Sequence, residues 1–436
     1  MHSFWNLLMT PIEKRAFSYT STIIALFEEV MATKKNADRV IADYFRANKK
    51  HGAKDRRIIR ESLFGLFRWW GWLQRLPKMA NDIQPLRLQQ LYITATLEQH
   101  PWQEIADAWA QLAQVATHSA DIEDVVSACT WLNAQFPTLD FTLEQLVPDW
   151  LWPLLPEDFN QRQVFITALC QRPPIWARTQ HTNRDAAISE LRELDIDAKA
   201  GPFADSLSLG NKSINLQQVG LYRDGKLEIQ DLASQVIGQI CQPQPNQTWW
   251  DACCGAGGKS LQLASLMAQA GADNSTIVAS DIRPAAMNEL AKRAQRAGFS
   301  NISLKRWQDE TLPVPAASFD GVLVDAPCSC TGTWRRNPDQ RWLDNADIVH
   351  QSATLQLSIL SRAAAAVKAD GTLVYATCSV TDIENRQVVE QFLTAHPEFE
   401  LLTLTHPFSG HQTKFLTIWP FEANSDGMFV AKMRRL

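Results

Sequence analysis

Over residues 19–146 the apolar positions recur three and four apart, as in Ile23, Ile24, Phe27 and Val30 and again in Ile58, Ile59, Leu63, Leu66 and Phe67. That spacing collects them on one face of helices. Pro77, Pro85, Pro101 and Pro137 fall between the runs rather than inside them, so the pattern predicts a helical bundle with short connections, closing near Pro148. The pattern then changes. A helical stretch to Cys170 is followed by a strand-like run at 172–178, a helix at 186–194 and extended pieces to Leu221. These predict a small α/β unit that ends in the turn-rich residues 220–225. Beyond it strands and helices alternate, with strands at 248–252, 276–281, 302–305, 319–325 and 372–377 and helices starting near Lys259, Pro284, Asp344 and Ile383. Alternation of this kind predicts a parallel sheet with right-handed crossovers. Three domains are expected, at 1–147, 148–225 and 226–436, because one core does not grow to this length.

Composition narrows the class. Apolar residues make up 45% of the chain and charged residues 20%, and no apolar run is long enough to span a bilayer. The opening MHSFWNLLMTPIEKRAF carries neither a charged leader nor a small-residue cleavage site, so a cytoplasmic, membrane-free protein is expected. A net charge of −5 excludes a chain that is basic throughout. Locally, however, Lys49, Lys50, Lys54, Arg56, Arg57, Arg60, Arg68, Arg75 and Lys78 are opposed only by Asp55 and Glu61, with Trp69, Trp70 and Trp72 among them. The stretch fits a nucleic-acid surface and a solvated helix face over a tryptophan-rich core equally well.

Eight cysteines in 436 residues are too few for a disulfide scaffold. Cys129, Cys170 and Cys241 lie singly among apolar or helical residues, where cysteine serves as a small hydrophobe. Cys253-Cys254 and Cys328-x-Cys330 lack the two-residue spacer of zinc pairs, and no suitably spaced histidines accompany them. No metal site is expected.

In an open parallel sheet the ligand lies beyond the carboxyl ends of the strands, and the remaining candidates gather there. Asp251-Ala-Cys-Cys-Gly-Ala-Gly-Gly-Lys259 follows a strand and opens a helix, which lets backbone approach a ligand closely. Its ending resembles a phosphate loop, but the glycine required five residues before Gly258 is Cys253. Gly255, Gly257 and Gly258 also miss the dinucleotide spacing. An adenosyl amino acid remains. Asp281 ends the second strand, where a carboxylate either accepts ribose hydroxyls or caps the next helix; behind a glycine turn the ligand role is preferred.

Asp325-Ala-Pro-Cys328-Ser-Cys-Thr-Gly332 and Thr377-Cys378-Ser379 each put a thiol after a strand. On neighbouring strands, about 5 Å apart, both thiols face one pocket. Paired thiols beside Asp325 suit covalent catalysis on an electron-poor ring, since a thiolate is a strong nucleophile. Taken singly, each thiol reads as structural.

These segments resemble the RNA cytosine-C5 methyltransferases of the Sun, or RsmB/Nop, family, together with Arg335-Arg336-Asn-Pro338-Asp339-x-x-Trp342 and Tyr375-Ala-Thr-Cys378-Ser. The likeness covers roughly the last 210 residues well. Pro148-Asp149-Trp150, Arg172-Pro173-Pro174 and Gln230-Asp231 extend it upstream, and Lys54-Asp55-Arg56-Arg57 with Gly65-Leu-Phe-Arg68-Trp69 is similar to the family's NusB-like RNA-binding domain.

The resemblance implies a Rossmann-like class I methyltransferase sheet behind an all-α NusB-like domain and a small α/β subdomain. It implies that Cys253, Cys254, Gly255, Ala256, Gly257, Gly258 and Lys259 line an S-adenosylmethionine site, with Asp281 on the ribose, Asp309 near the adenine and Asp325 beside both cofactor and base. Cys378 would attack carbon 6 of cytosine and Cys328 would assist proton removal at carbon 5. The base must be flipped or single-stranded. Two positions depart from the family: Ala256 replaces its usual Pro, and Gln308-Asp309-Glu310 replaces an acidic-Gly-Arg step. DNA enzymes place their thiol in Pro-Cys-Gln, and Ser329 stands where that Gln would be, which favours RNA. Ribosomal RNA is preferred over transfer RNA as substrate, and a monomer is expected. The alternative is an RNA-binding ribosome-assembly factor with weakened catalysis.

Overall fold

The computed structural model describes residues 9–77, 83–117, 121–271, 274–308 and 310–436, so Lys78 and Asp309 lie outside the described residues. The chain divides into two compact units.

The first unit takes the described residues up to Pro153 with Phe159–Gln171 and Asn337–Asn345. It is helical, with its longest helix at Pro11–Thr33. Thr10 opens that helix: its hydroxyl accepts the Glu13 amide at 3.3 Å while the Glu13 carboxylate accepts the Thr10 amide at 2.7 Å. A reciprocal cap of this kind contributes about 1 kcal/mol. The periodic positions Ile23, Phe27, Val30, Ile59, Leu63, Leu66 and Phe67 are buried, as their spacing predicts.

The basic stretch divides between surface and interior. On and around the helix Ala53–Arg68, the residues Lys49, Lys50, Lys54, Arg57, Arg60 and Arg75 are exposed. Arg68 instead lies inside the unit, its guanidinium 2.8 Å from Glu98. Trp69 and Trp72 are buried, and the Trp72 indole donates to the Thr142 carbonyl at 2.7 Å. Trp69 and Trp72 therefore belong to the core, Trp70 is half-buried, and the exposed lysines and arginines are not interleaved with the two buried rings.

Asn337–Asn345 belongs to this unit although its sequence neighbours do not. Arg341 is fully buried there and donates to the carbonyls of Leu146 at 2.8 Å and Leu169 at 3.2 Å. Asp339 accepts the amide of Ala37, the first residue of the helix Ala37–Ala47, at 2.8 Å. Trp342 donates to the Phe67 carbonyl at 2.6 Å.

The second unit holds two main sheets. The smaller has strands β1 (Trp176–Thr179), β2 (Lys199–Ala200), β3 (Ser206–Ser208) and β4 (Leu227–Ile229) in the order β2-β3-β1-β4, all antiparallel. The helix Arg184–Glu193 packs on it through Ala187, Ile188 and Leu191. β4 corrects the expected boundary at residue 226: Leu227 and Ile229 pair with β1, so the small sheet extends past the turn at Gly225.

The larger sheet carries β5 (Thr248–Asp251), β6 (Thr276–Ala279), β7 (Ile302–Leu304), β8 (Phe319–Asp325) and β9 (Val367–Thr377), which run parallel in the order β9-β8-β5-β6-β7. These are the predicted strands. β9 starts earlier than predicted because Asp370, at φ 60°, and Gly371 form an irregular bulge opposite 319–321. Beyond the helix Arg386–Ala395 lie β10 (Phe399–Leu401), β11 (Leu404–Thr405), β12 (Gln412–Thr413), β13 (Leu416–Ile418) and β14 (Met428–Arg435). β14 inserts antiparallel between β9 and β10 and also pairs with β13, whereas β11 and β12 form their own ribbon.

Helices cover both faces of the large sheet. Consecutive residues of β5 point opposite ways: Trp249 packs with Val236, Leu261 and Leu290, and Trp250 with Leu360, Val388 and Phe392. Removing either ring would leave a cavity costing about 3–5 kcal/mol. Two packed faces leave only the strand ends open.

Candidate active site

The carboxyl ends of β5, β6, β8 and β9 meet at one edge of the large sheet, because Asp251 is level with Ala279 and Leu323, and Asp325 with Ala376. At the end of β5, Asp251 is fully buried. Its Oδ2 accepts the Ser260 hydroxyl at 2.6 Å, while Oδ1 has no hydrogen-bond partner among the described residues. Burial pushes this carboxyl up to about 7, against the pull of Ser260.

The turn that follows puts two glycines in the left-handed region, Gly255 at φ 54° and Gly257 at φ 89°, and at Gly257 sterics also forbid a side chain. A Cβ there would come within 2.1 Å of the Leu290 side chain. Gly255 and Gly258 are not crowded in this way. The nearest side-chain atoms to a Cβ on them lie 3.7 and 4.0 Å away, so the backbone is open to a ligand. Cys253 is half-buried, its thiol pushed well up by burial and by the Asp251, Asp325 and Asp281 carboxylates. Cys254 does not join them: it packs in the core with Leu261 and Leu290, and its amide donates to the Ser280 carbonyl at 2.9 Å. Ala256 is exposed, and its carbonyl accepts Arg293.

Lys259 crosses from the turn to the end of β8, its Nζ 2.7 Å from Asp325 Oδ2. Burial works against its charge, but Asp325 outweighs burial and holds the ammonium above its ordinary range. Burial raises the Asp325 carboxyl, and Lys259 offsets part of that rise. Asp281, past the end of β6, is also buried. It accepts the amides of Gly255 at 3.0 Å and Arg283 at 2.8 Å, and the Arg283 guanidinium at 2.9 Å through each oxygen. Those donors outweigh burial and hold its carboxyl below the usual range. All four lone-pair sites are thereby used, although the Arg283 side chain is 67% exposed.

β8 and β9 are neighbours, and the sulfurs of Cys328 and Cys378 stand 3.2 Å apart. Cys328 is pushed well above its usual range by Cys330 and Cys378. The hydrogen bond from Cys328 favours the Cys378 thiolate, but Cys330 and burial prevail and push that thiol up to about 12. Cys330 has φ 57° and its sulfur lies 3.4 Å from the Cys328 carbonyl.

A buried carboxylate holds the two thiol-bearing loops together. Glu384 Oε2 accepts the hydroxyls of Ser329 and Ser379, each at 2.5 Å, and Thr381 at 3.1 Å. Its Oε1 accepts the Ser329 amide at 2.8 Å and Gln356 at 3.0 Å. Gly332 brings the loops closer still: its amide donates to the Cys378 carbonyl at 2.9 Å, and a Cβ there would sit 2.1 Å from the Gly427 carbonyl oxygen. Nearby, Arg336 pairs with the buried Asp426 at 2.6 Å. Burial, with Asp231 behind it, pushes Asp426 up to about 8.

The structure thus brings Cys253, Gly255, Gly257, Gly258, Lys259, Asp281, Asp325, Cys328 and Cys378 to one edge, turns Cys254 into the core, leaves Ala256 at the surface and does not describe Asp309. Asp251 heads the motif read from the sequence but was given no role of its own, and Arg283 and Glu384 were not read from it. Asp251 carried a signal, since it is the last residue of a strand leading into a glycine turn. Glu384 carried none, because its partners lie 55 and 5 residues away.

The family model described as 16S rRNA methyltransferase RsmB/F matches residues 238–434. A protein of Synechocystis sp. named "Probable ribosomal RNA small subunit methyltransferase B" is 32% identical over 304 residues, which is 66% of this chain and 66% of that one, a little under two thirds of each. A protein of Shewanella oneidensis named "Ribosomal RNA small subunit methyltransferase B" is 29% identical over 413 residues, 87% of this chain and 91% of its own. Among solved structures, that of PH0851 superposes on 98% of this chain and 100% of its own with a TM-score of 0.72 at 22% identity. A methyltransferase homolog from Pyrococcus horikoshii covers 65% of this chain and 92% of its own with a TM-score of 0.54 at 24% identity. These two likenesses bear on fold, and the large sheet has the Rossmann-like class I methyltransferase architecture. Because the family match runs through the large sheet and the Shewanella relative carries the similarity on over most of the chain, this protein belongs to the RsmB/Nop (Sun) family of methyltransferases.

Proposed function

We propose that this chain transfers a methyl group from S-adenosylmethionine to carbon 5 of a cytosine in ribosomal RNA, through a covalent adduct on Cys378. The supporting observation is the 3.2 Å separation of the Cys328 and Cys378 sulfurs at the ends of adjacent parallel strands.

The turn after β5 fits the cofactor. Asp251 keeps one buried carboxylate oxygen without a protein donor, a partner for an amino group, and Gly255 and Gly258 leave open the space a side chain would fill. Cys253, Gly255, Gly257, Gly258 and Lys259 would hold the cofactor, with Asp281 on the ribose and Asp309 near the adenine. S-adenosylmethionine bound there supplies an electrophilic methyl group.

The chain's own residues do the rest. Cys378 Sγ gives its proton to solvent and bonds to carbon 6, so that the electrons of the 5,6 double bond move onto carbon 5. Asp325, held by Lys259, hydrogen-bonds the base and stabilises the adduct. After methylation Cys328, having given its own proton to solvent, takes the carbon 5 proton as a thiolate, the double bond re-forms, and the carbon–sulfur bond breaks with its electrons returning to Cys378. The exposed Lys49, Lys50, Lys54, Arg57, Arg60 and Arg75 suit phosphate contacts, as a NusB-like RNA-binding domain would make in the cytoplasm. The printed names of the relatives favour ribosomal over transfer RNA as substrate.

The test supplies labelled S-adenosylmethionine with unmodified ribosomal RNA or transfer RNA. Wild type should label ribosomal RNA at cytosine carbon 5, Cys378→Ala should not, and Cys328→Ala should accumulate a covalent RNA adduct. No transfer by wild type to either RNA sinks the proposal. Transfer to transfer RNA alone sinks the substrate, and absence of the adduct sinks the division of labour between the thiols.

A further inference from the structure

The reaction proposed above uses two thiols, but the fold supplies three. The sulfurs of Cys328, Cys330 and Cys378 all lie within 4.8 Å of one another, the one such group of potential metal ligands found among the described residues. All three are half-buried and unbridged. Cys330 reaches the cluster from the left-handed region, φ 57°, a conformation costing a residue with a side chain about 1–2 kcal/mol. Spacing within Cys328-x-Cys330 argues against a zinc pair, but the third sulfur comes from the neighbouring strand, which no local spacing reveals.

The distances suit a soft cation. With metal–sulfur bonds of about 2.3 Å, the sulfurs of a tetrahedral site stand about 3.8 Å apart. The Cys328–Cys378 pair, now at 3.2 Å, would open by roughly half an ångström, and the other separations already fall below 4.8 Å. Three thiolates around a divalent ion leave one net negative charge, and two cationic side chains interact with the cluster. Lys259 favours the Cys378 thiolate, and Arg336 feels both Cys378 and Cys330.

We propose that Cys328, Cys330 and Cys378 form a three-thiolate site for a thiophilic divalent cation such as Zn²⁺, and that its binding reversibly blocks methyl transfer by occupying the attacking sulfur. The inhibitory half rests on the reading of Cys378 as nucleophile. On binding, three sulfur–metal bonds replace three S–H bonds, the protons pass to solvent, and the fourth position of the metal is left to water. No oxidant is involved.

The full chain is titrated with Cd²⁺ and with Zn²⁺ in a reductant that does not bind metal. Wild type should take up one Cd²⁺ per chain with a near-ultraviolet sulfur-to-metal absorption band, lose transfer activity as Zn²⁺ is added, and regain it with a chelator. Cys330→Gly suits φ 57° and removes no reacting group, so basal transfer should persist. The Zn²⁺ concentration for half inhibition should rise at least about tenfold, and the Cd²⁺ band should shrink by about a third. Absence of the band in wild type, or equal Zn²⁺ sensitivity of wild type and Cys330→Gly, overturns the site. A full band in a wild-type protein that transfers no methyl group would support the site and overturn the proposed function instead.

Discussion

Ser329 places its hydroxyl 2.5 Å from Glu384 Oε2, the same oxygen that receives Ser379. Each serine directly follows one of the paired thiols, so a single buried carboxylate sets the spacing of Cys328 and Cys378. Replacing it with Glu384→Gln swaps an acceptor for a donor among groups that all donate. Each buried donor left unpaired costs about 1–3 kcal/mol. The prediction is a kcat lowered at least about tenfold, with the KM for S-adenosylmethionine unchanged, because the glycine turn makes no contact with Glu384 in the hydrogen bonds described. Steady-state kinetics separates the two. A loss confined to KM would show that Glu384 does not position the thiols.

Thiol ionisation should limit the rate near neutral pH. Cys378 is pushed up to about 12, so its thiolate is scarce and each pH unit multiplies it about tenfold. Single-turnover transfer should therefore rise with a slope near one in log rate between about pH 7 and 9. A flat profile in that window would mean that a neighbouring base takes the proton within the complex.

Asp251 trades stability for ligand binding. Its folded carboxyl is raised to about 7, above the value near 4 of an unfolded chain. Between those values the folded state binds more protons than the unfolded one. The group therefore lowers stability progressively as pH rises from about 4 to about 7. Asp251→Asn removes that term and should raise the stability of the cofactor-free protein at pH 7.5 by more than about 1 kcal/mol, while abolishing S-adenosylmethionine binding. Thermal unfolding and calorimetric titration read the two effects. A destabilised Asn variant would contradict the assignment.

Arg283 occupies the lone pairs of Asp281 that a ribose would need. Its side chain is mostly exposed and free to swing away, so Arg283→Ala should tighten cofactor binding several-fold. Asp281→Ala should weaken it at least about tenfold. Equilibrium binding decides, and a weakened Arg283→Ala would make Arg283 a cofactor contact rather than a competitor.

What the sequence revealed follows from how far apart the determinants lie. Strands β5, β8 and the end of β9 are legible because each is a buried apolar run between turn residues, and the helices because Ile23, Phe27 and Val30 or Ile59, Leu63 and Leu66 repeat at helical spacing. β14 escapes because it is buried on both faces through Met428 to Ala431, which erases the alternation that marks a strand. β11, β12 and β13 are too short to show any period. Cys254 and Cys253 are adjacent in sequence, yet the turn at Gly257 sends one thiol into the core and leaves the other among carboxylates. In the basic stretch, Trp69 and Trp72 follow the rule that large rings fill a core, and Arg68 goes inside because Glu98 is there to meet it. The grouping of Ser329, Ser379 and Glu384 joins segments that only the β8–β9 pairing brings side by side.

The nine-residue stretch Asn337–Asn345 sits in the helical unit while Arg336 and Ala346, on either side, sit in the other. No single cut in the chain separates the two units intact. A fragment starting at Arg172 would keep Arg341 but lose the Leu146 and Leu169 carbonyls that receive it, and a fragment ending at Gln171 would keep the carbonyls and lose the arginine. Exchanging the N-terminal half of the chain would carry the same penalty unless this stretch travels with the helices. The helical unit is therefore complete only when residues from far along the chain are present with it.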